Sequence, residues 1–155
     1  MKKRYLSLVC VIAFLLSVSG VNVRASEELT MIDGSYLTHE EESDGEAYLI
    51  NRGVDLQAGT SKVSKASSTA INAGGTTTAK HTVDEIGIVV VVERLKSGSS
   101  TWTYYRTWEV TKENSSYVSS SKNLTVPTGY YYRVRCTHWA NSDASSSSTN
   151  GVYIG

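Results

Sequence analysis

One stretch of sequence decides the fold class: Val83-Asp-Glu-Ile-Gly-Ile-Val-Val-Val-Val-Glu-Arg-Leu95. Its β-branched residues lose rotamer freedom in a helix and suit an extended chain. In a strand, alternate residues share a face. The apolar sets are then Ile86, Ile88, Val90 and Val92 on one face, and Val89 and Val91 on the other. Because both faces are apolar, the stretch predicts a strand buried between two layers.

Further strands are predicted on both sides of this one. Their bounds are Thr76–Val83, Trp102–Thr111, Tyr117–Val126, Tyr130–His138 and Val152–Ile154. Glycine and proline mark the turns between them, and Gly74-Gly75 favours a tight hairpin. Ser142–Thr149 is a serine-rich loop by composition. Seven or eight short strands without a helix predict an all-β fold, a single antiparallel β-sandwich.

The N-terminal 25 residues have the pattern of an export signal. Lys2, Lys3 and Arg4 precede an apolar run from Leu6 to Val18, which is shorter than the roughly 20 residues of a membrane-spanning helix. Small side chains before the junction predict cleavage between Ala25 and Ser26. We therefore expect a signal peptide at residues 1–25 and a secreted, extracellular product. An uncleaved anchor is the alternative.

Residues 26–47 carry many acidic side chains and no basic one, since the next base is Arg52. Like charge at this density predicts a flexible acidic leader, which places the β-sandwich domain at residues 48–155. The whole chain carries 15 basic and 15 acidic residues. This balance argues against a nucleic-acid-binding protein. After loss of the signal, only Cys136 remains, so no intramolecular disulfide can form.

A local motif resembles the tyrosine corner of immunoglobulin-like and fibronectin type III sandwiches. It reads Leu124-x-x-Pro127-Thr128-Gly129-Tyr130-x-x-x-Val134. In those folds a tyrosine soon after such a turn hydrogen-bonds to the upstream backbone. The resemblance implies an immunoglobulin-like arrangement of the strands.

A second resemblance covers most of the chain after the signal. Its markers are Arg52-Gly53, Asp84-x-Ile86, Trp102, Trp108, Gly129–Val134, His138 and Ser148–Ile154. This order resembles a family of small exported proteins of Gram-positive bacteria that forms a domain of unknown function. The resemblance implies a bacterial origin and an extracellular setting, and it implies no catalytic residue.

No catalytic, cofactor or metal site is predicted. Cys136 and His138 lie on one strand face about 7 Å apart by strand rise, and a buried thiol beside an edge histidine explains them more simply than a nucleophilic pair. The adjacent acids Asp84 and Glu85 point to opposite faces, so they cannot act together as glycosidase carboxylates do. His39 with Glu40, Glu41 and Glu42 lies in a flexible acidic segment that binds divalent ions weakly, and Asp33 and Asp44 lack the spacing of a calcium loop.

Aromatic side chains are the strongest functional signal. Rings with a polar tip suit interfaces and sugar stacking, although they also cover ordinary sheet faces. The candidate ligand or interface residues are Tyr105, Tyr131, Trp139, Arg133 and Arg135. We expect Tyr105 and Tyr131 to face outward.

The sequence therefore predicts a secreted, non-catalytic recognition module without a cofactor. Its expected partner is an extracellular protein or a glycan, with no membrane association after signal cleavage. Two alternatives stay open, namely a secreted antagonistic, bacteriocin- or toxin-like effector and a small extracellular hydrolase.

Overall fold

The computed structural model describes residues 34–47 and 53–155, and 78% of them lie in strands. The predicted all-β class is confirmed, and this part of the chain contains no helix. The strands are β1 (Leu37–Thr38), β2 (Glu42–Ala47), β3 (Leu56–Ser67), β4 (Ala70–Lys96), β5 (Thr103–Thr125), β6 (Tyr130–Ala140), β7 (Asp143–Ser148) and β8 (Gly151–Ile154).

All eight strands belong to one curled sheet, with the order β1-β8-β6-β4-β3-β2; in addition, β5 pairs with β4 and β7 pairs with β6. The predicted sandwich of antiparallel strands differs from this in two respects. The strands form a single hydrogen-bonded sheet, and that sheet is mixed because β1 runs parallel to β8.

The long strand β4 explains how the sheet curls. Its first part pairs with β3, its second part pairs with β6, and β5 follows it on the remaining side. Between Thr78 and Val83 the register with β5 shifts, as at a β-bulge, which bends strands. The bend brings β3 over β6, so that Gly59 lies against the ring of His138.

The core lies on the inner face of this curl. The predicted set Ile86, Ile88, Val90 and Val92 is fully buried there, which confirms its facing. Val89 and Val91 are only half-buried on the outer face. The outer face of β4 is therefore not covered by a second layer of the kind that the sequence suggested.

The prediction of a flexible acidic leader is wrong for the described residues 34–47. Residues 42–47 form β2, whose small side chains Ser43, Gly45 and Ala47 are buried while the acidic residues between them face outward. Space on the inner face is tight, because a Cβ at Gly45 would overlap the carbonyl oxygen of Ser148. Acidic side chains at alternate positions are compatible with an edge strand, since they stay in water. Residues 26–33 lie outside the described part, as do residues 1–25 with the predicted cleavage site.

Two predicted connections are strands instead. Gly74 and Gly75 lie inside β4, and the real turn joins Ser67 to Ala70. The serine-rich segment forms β7, which pairs with β6 from Asp143 to Ser148. Within the described ranges, no helix has the length and apolarity needed to cross a membrane.

Candidate functional site

Three of the predicted recognition residues lie together on one surface. Tyr131, Arg133 and Arg135 are alternate residues of β6 and point to the outer face, because Tyr132, Val134 and Cys136 between them are buried inside. On this face Tyr131 stands between Leu95 of β4 and Tyr153 of β8. The sheet thus places part of the predicted set side by side.

Tyr131 belongs to a cluster of rings on this surface. Its ring centroid lies 5.0 Å from that of Tyr153 and 5.7 Å from that of His39, and His39 lies 4.8 Å from Tyr153. The Tyr131 hydroxyl is 3.2 Å from His39 Nε2. Leu37 is 38% exposed and lies against Gly151, two residues before Tyr153 on the same face of β8. We call the surface formed by Leu37, His39, Tyr131 and Tyr153 the aromatic face.

The two arginines beside the aromatic face have different environments. Arg133 is mostly buried and donates to Glu93 Oε2 at 2.7 Å and to the Gly34 carbonyl at 2.6 Å. Its guanidinium also lies 4.2 Å from the ring of Trp102. The Arg135 side chain is 56% exposed, and its Nη1 lies 3.7 Å from Glu93 Oε1, which is longer than a hydrogen bond. Arg133 therefore fastens the N-terminal segment to the sheet, whereas Arg135 remains available at the surface.

Trp139 shares the outer face of β6 but is not part of this cluster. It is eight residues from Tyr131, which is about 26 Å along a strand. Its Nε1 donates to Glu85 Oε1 at 2.9 Å, and its ring covers Gly87. These contacts give Trp139 a packing role at the other end of the strand.

The prediction that Tyr105 faces outward is wrong. A register shift between Val92 and Glu93 makes Tyr105 an extra residue in β5, so its ring packs at the core beside Tyr132 at 5.7 Å. Its hydroxyl donates to the Thr125 carbonyl at 2.9 Å. The same shift leaves the neighbouring Tyr104 61% exposed.

The cysteine and histidine of β6 are both buried and both neutral. Burial raises the pKa of the Cys136 thiol to about 12 and lowers the pKa of His138 to about 4. A nucleophilic cysteine needs the opposite, a lowered pKa that yields thiolate. His138 is instead held by Thr77 and Ser147, at 2.9 Å from Thr77 Oγ1 and 2.8 Å from Ser147 Oγ. This arrangement explains the pair by packing and hydrogen bonding alone.

A tyrosine does hydrogen-bond to the upstream backbone at this turn, but it is Tyr132 rather than Tyr130. The Tyr132 hydroxyl donates to the Pro127 carbonyl at 2.7 Å, whereas Tyr130 packs beside Arg94 with 5.0 Å between the guanidinium and the ring centroid. Burial is the main cause that raises the pKa of Tyr132 to about 12, which keeps its hydroxyl a donor.

A second surface was not found by sequence reasoning. On the outer face of β2, β3, β4 and β5 lies an open groove of about 340 Å³. Its lining consists of Asp44, Thr60, Lys62, Ser64, Asn72, Gly74, Gly75, Thr76 and Ser119–Ser121. These residues come from four strands, so only their pairing in the sheet brings them together. Across residues 34–47 and 53–155, no group of three or more His, Cys, Asp or Glu side chains is placed to hold a metal ion.

Comparison with known families gives one match. The model described as a family of unknown function, DUF6147, matches residues 24–153. The chain belongs to the DUF6147 family. The family match includes β1 and β2, in agreement with their place in the sheet. Neither the curated proteins nor the solved structures contain a match to this chain.

Proposed function

We propose that this DUF6147 protein is an extracellular recognition module that binds a protein partner through the aromatic face and catalyses no reaction. The observation that carries the proposal is the contact among His39, Tyr131 and Tyr153 on the outer face of the sheet. Tyrosine and arginine are enriched where protein interfaces gain most of their binding energy.

The setting of these rings supports a protein partner. The rings are partly packed against one another, so little side-chain entropy is lost when a partner covers them. Leu37 adds exposed apolar area, and Arg135 adds a charge at the border that is only weakly paired with Glu93. An apolar centre with a charged border is the usual anatomy of a protein interface.

Export is part of the same proposal. The basic and apolar pattern of residues 1–25 supports cleavage by signal peptidase between Ala25 and Ser26. Mass spectrometry of protein collected from the medium tests this step, with a mature N-terminus at Ser26 as the expected result. Full-length protein retained in the cytoplasm would contradict it.

Binding to intact cells of the source organism tests the recognition step. Fluorescently labelled protein should bind, and Leu37→Asp should weaken binding at least about tenfold because a charge enters the apolar contact. Val54→Asp is the matched control, because it places the same charge at an apolar side chain that is 76% exposed outside the aromatic face.

Protease treatment of the cells identifies the class of partner. If the partner is a protein, treatment should remove the part of the binding that Leu37→Asp loses. Equal binding by Leu37→Asp and the unaltered chain would contradict the assignment to the aromatic face. Leu37-dependent binding that survives protease would contradict a protein partner.

A further inference from the structure

The groove on the outer face of β2–β5 differs in chemistry from the aromatic face. Its volume of about 340 Å³ falls in the range of roughly 300–1,000 Å³ that small-molecule sites occupy. Such sites are usually lined mostly by apolar side chains. This lining is entirely glycine, hydroxyl, amide and charged residues. A purely apolar ligand would leave these polar groups without partners, whereas a ligand that combines hydroxyl groups with C–H faces would contact both the polar atoms and the carbon atoms of the lining.

Gly74 forms the floor of the groove. It lies between Lys62 of β3 and Ser121 of β5 in the register, and it leaves the middle of a four-strand row without a side chain. A Cβ at this position would overlap the carbonyl oxygen of Ser120. The depression in the sheet is therefore set by the backbone rather than by movable side chains.

Polar groups on both sides of this floor can donate and accept. Thr60 Oγ1 and Thr76 Oγ1 are 2.7 Å apart, and the Ser121 hydroxyl donates to Asn72 Oδ1. A hydroxyl has one donor and two acceptor positions, so these pairs retain unused capacity toward a ligand. Mutual hydrogen bonds also hold the groups in place before a ligand arrives.

An aromatic ring lies next to the groove, outside its lining. Tyr117 pairs with Thr78 and is two residues from Ser119, hence about 7 Å from it on the same outer face. Its ring is 46% exposed. Aromatic side chains offer an apolar face beside a polar tip, which suits the C–H face of a sugar ring.

The opposite end of the groove is acidic. Lys62 lies between two carboxylates, with its Nζ 2.9 Å from Glu42 Oε2 and 3.3 Å from Asp44 Oδ1. Hydrogen bonding to Glu42, followed by the contribution of Asp44, raises the pKa of Lys62. Two carboxylates against one ammonium leave an excess of negative charge, which disfavours acidic ligands.

We propose that this groove is a carbohydrate-binding site that takes a neutral oligosaccharide, with one sugar ring against Tyr117 and the following sugar over Gly74. The site is separate from the aromatic face and adds a second ligand class to the protein.

Amide NMR shifts of the purified protein test this site. The probes are cellotetraose and N-acetylchitotetraose as neutral chains, and tetragalacturonate as an acidic chain. We expect at least one neutral probe to shift the amides of Gly74, Thr76, Ser119 and Ser121, and we expect the acidic probe to leave them unmoved. Absence of groove shifts with both neutral probes, or shifts with the acidic probe alone, would overturn the proposal.

Variants then separate binding from folding. Thr76→Val keeps the shape and strand preference of the side chain but removes its hydroxyl, and Tyr117→Ala removes the ring. Each should weaken the affinity for the neutral probe about fivefold, with the spectrum otherwise retained. Leu37→Asp on the aromatic face should bind the probe normally. Unchanged affinity in both groove variants would contradict this placement of the sugar.

Discussion

His138 Nδ1 lies 2.9 Å from Thr77 Oγ1, although the two residues are 61 positions apart in the chain. The Thr77 hydroxyl donates to the Gly87 carbonyl at 3.0 Å, so it accepts from Nδ1–H of the histidine. Nε2 is then the acceptor for the Ser147 hydroxyl at 2.8 Å. These contacts fix the neutral tautomer of His138 and connect strands β4, β6 and β7 inside the curl.

The burial of His138 predicts a loss of stability in mild acid. Its folded pKa of about 4 is below the ordinary value of 6.5, so the unfolded chain takes up the proton first. The contribution of His138 is complete above pH 6.5 and declines as the pH falls toward 4, by about 3 kcal/mol in total.

Urea unfolding between pH 4 and 7 measures this loss, and NMR titration of the ring assigns it. The His138 resonances should titrate near pH 4. A midpoint near 6.5 would contradict the neutral buried histidine. His39→Ala and His81→Ala identify the ring resonances of the other two histidines, so that the remaining resonance belongs to His138.

The hydrogen bonds that join Thr77, His138 and Ser147 also predict the effect of removing the Thr77 hydroxyl. Thr77→Val retains the shape of the side chain but leaves Nδ1–H of His138 without its acceptor. We expect a loss of about 1–3 kcal/mol in the free energy of unfolding. Thr82→Val, at an exposed position of β4, should change stability by less than about 0.5 kcal/mol. Equal urea midpoints for the two variants would show that the hydrogen bond between Thr77 and His138 does not stabilise the fold.

Arg133 predicts how the N-terminal segment is held. Arg133→Ala removes the contact to the Gly34 carbonyl and should release β1 from β8 while the core remains folded. Hydrogen exchange of the Gly151 amide reports on this, because that amide donates to the Tyr36 carbonyl at 2.8 Å. Arg135→Ala, which removes a neighbouring exposed charge, should leave the exchange rate unchanged. Equal protection in both variants would show that Arg133 does not fasten the segment.

The facing of the central strand gives a further prediction. Val90 is fully buried, so Val90→Asp should cost more than about 4 kcal/mol and unfold the domain. Thr107 pairs with Val91 on the outer face and is exposed. Thr107→Asp should therefore change the free energy of unfolding by no more than about 1 kcal/mol. Urea melts of the two variants in the reverse order would contradict the assigned faces.

The sequence predicts the parts of this fold in which one pattern dominates. Ile86 and Val90 lie inside because the two-residue period puts four β-branched side chains on their face and only two on the other. Strand β2 escapes sequence prediction because the density of acidic residues in this segment is typical of flexible chains. The alternation of buried Ser43, Gly45 and Ala47 was the signal that could have identified it.

The candidate sites were less predictable because they depend on register and on distant pairing. A single bulge reverses the facing of Tyr104 and Tyr105, and alternation alone does not locate a bulge. The groove needs β2, β3, β4 and β5 in register around Gly74, a residue that the sequence suggested lay in a turn. Tyr131 and Arg133 were placed correctly because β6 has no shift against β4.

Photocrosslinking on living cells tests the proposed function most directly. A benzoylphenylalanine introduced at position 37 places the reactive group in the aromatic face, and the same group at position 54, an exposed position outside both proposed surfaces, is the control. The account predicts a discrete protein adduct from position 37 that position 54 does not give. No adduct from position 37, or the same adduct from both positions, would contradict recognition of a protein through this face.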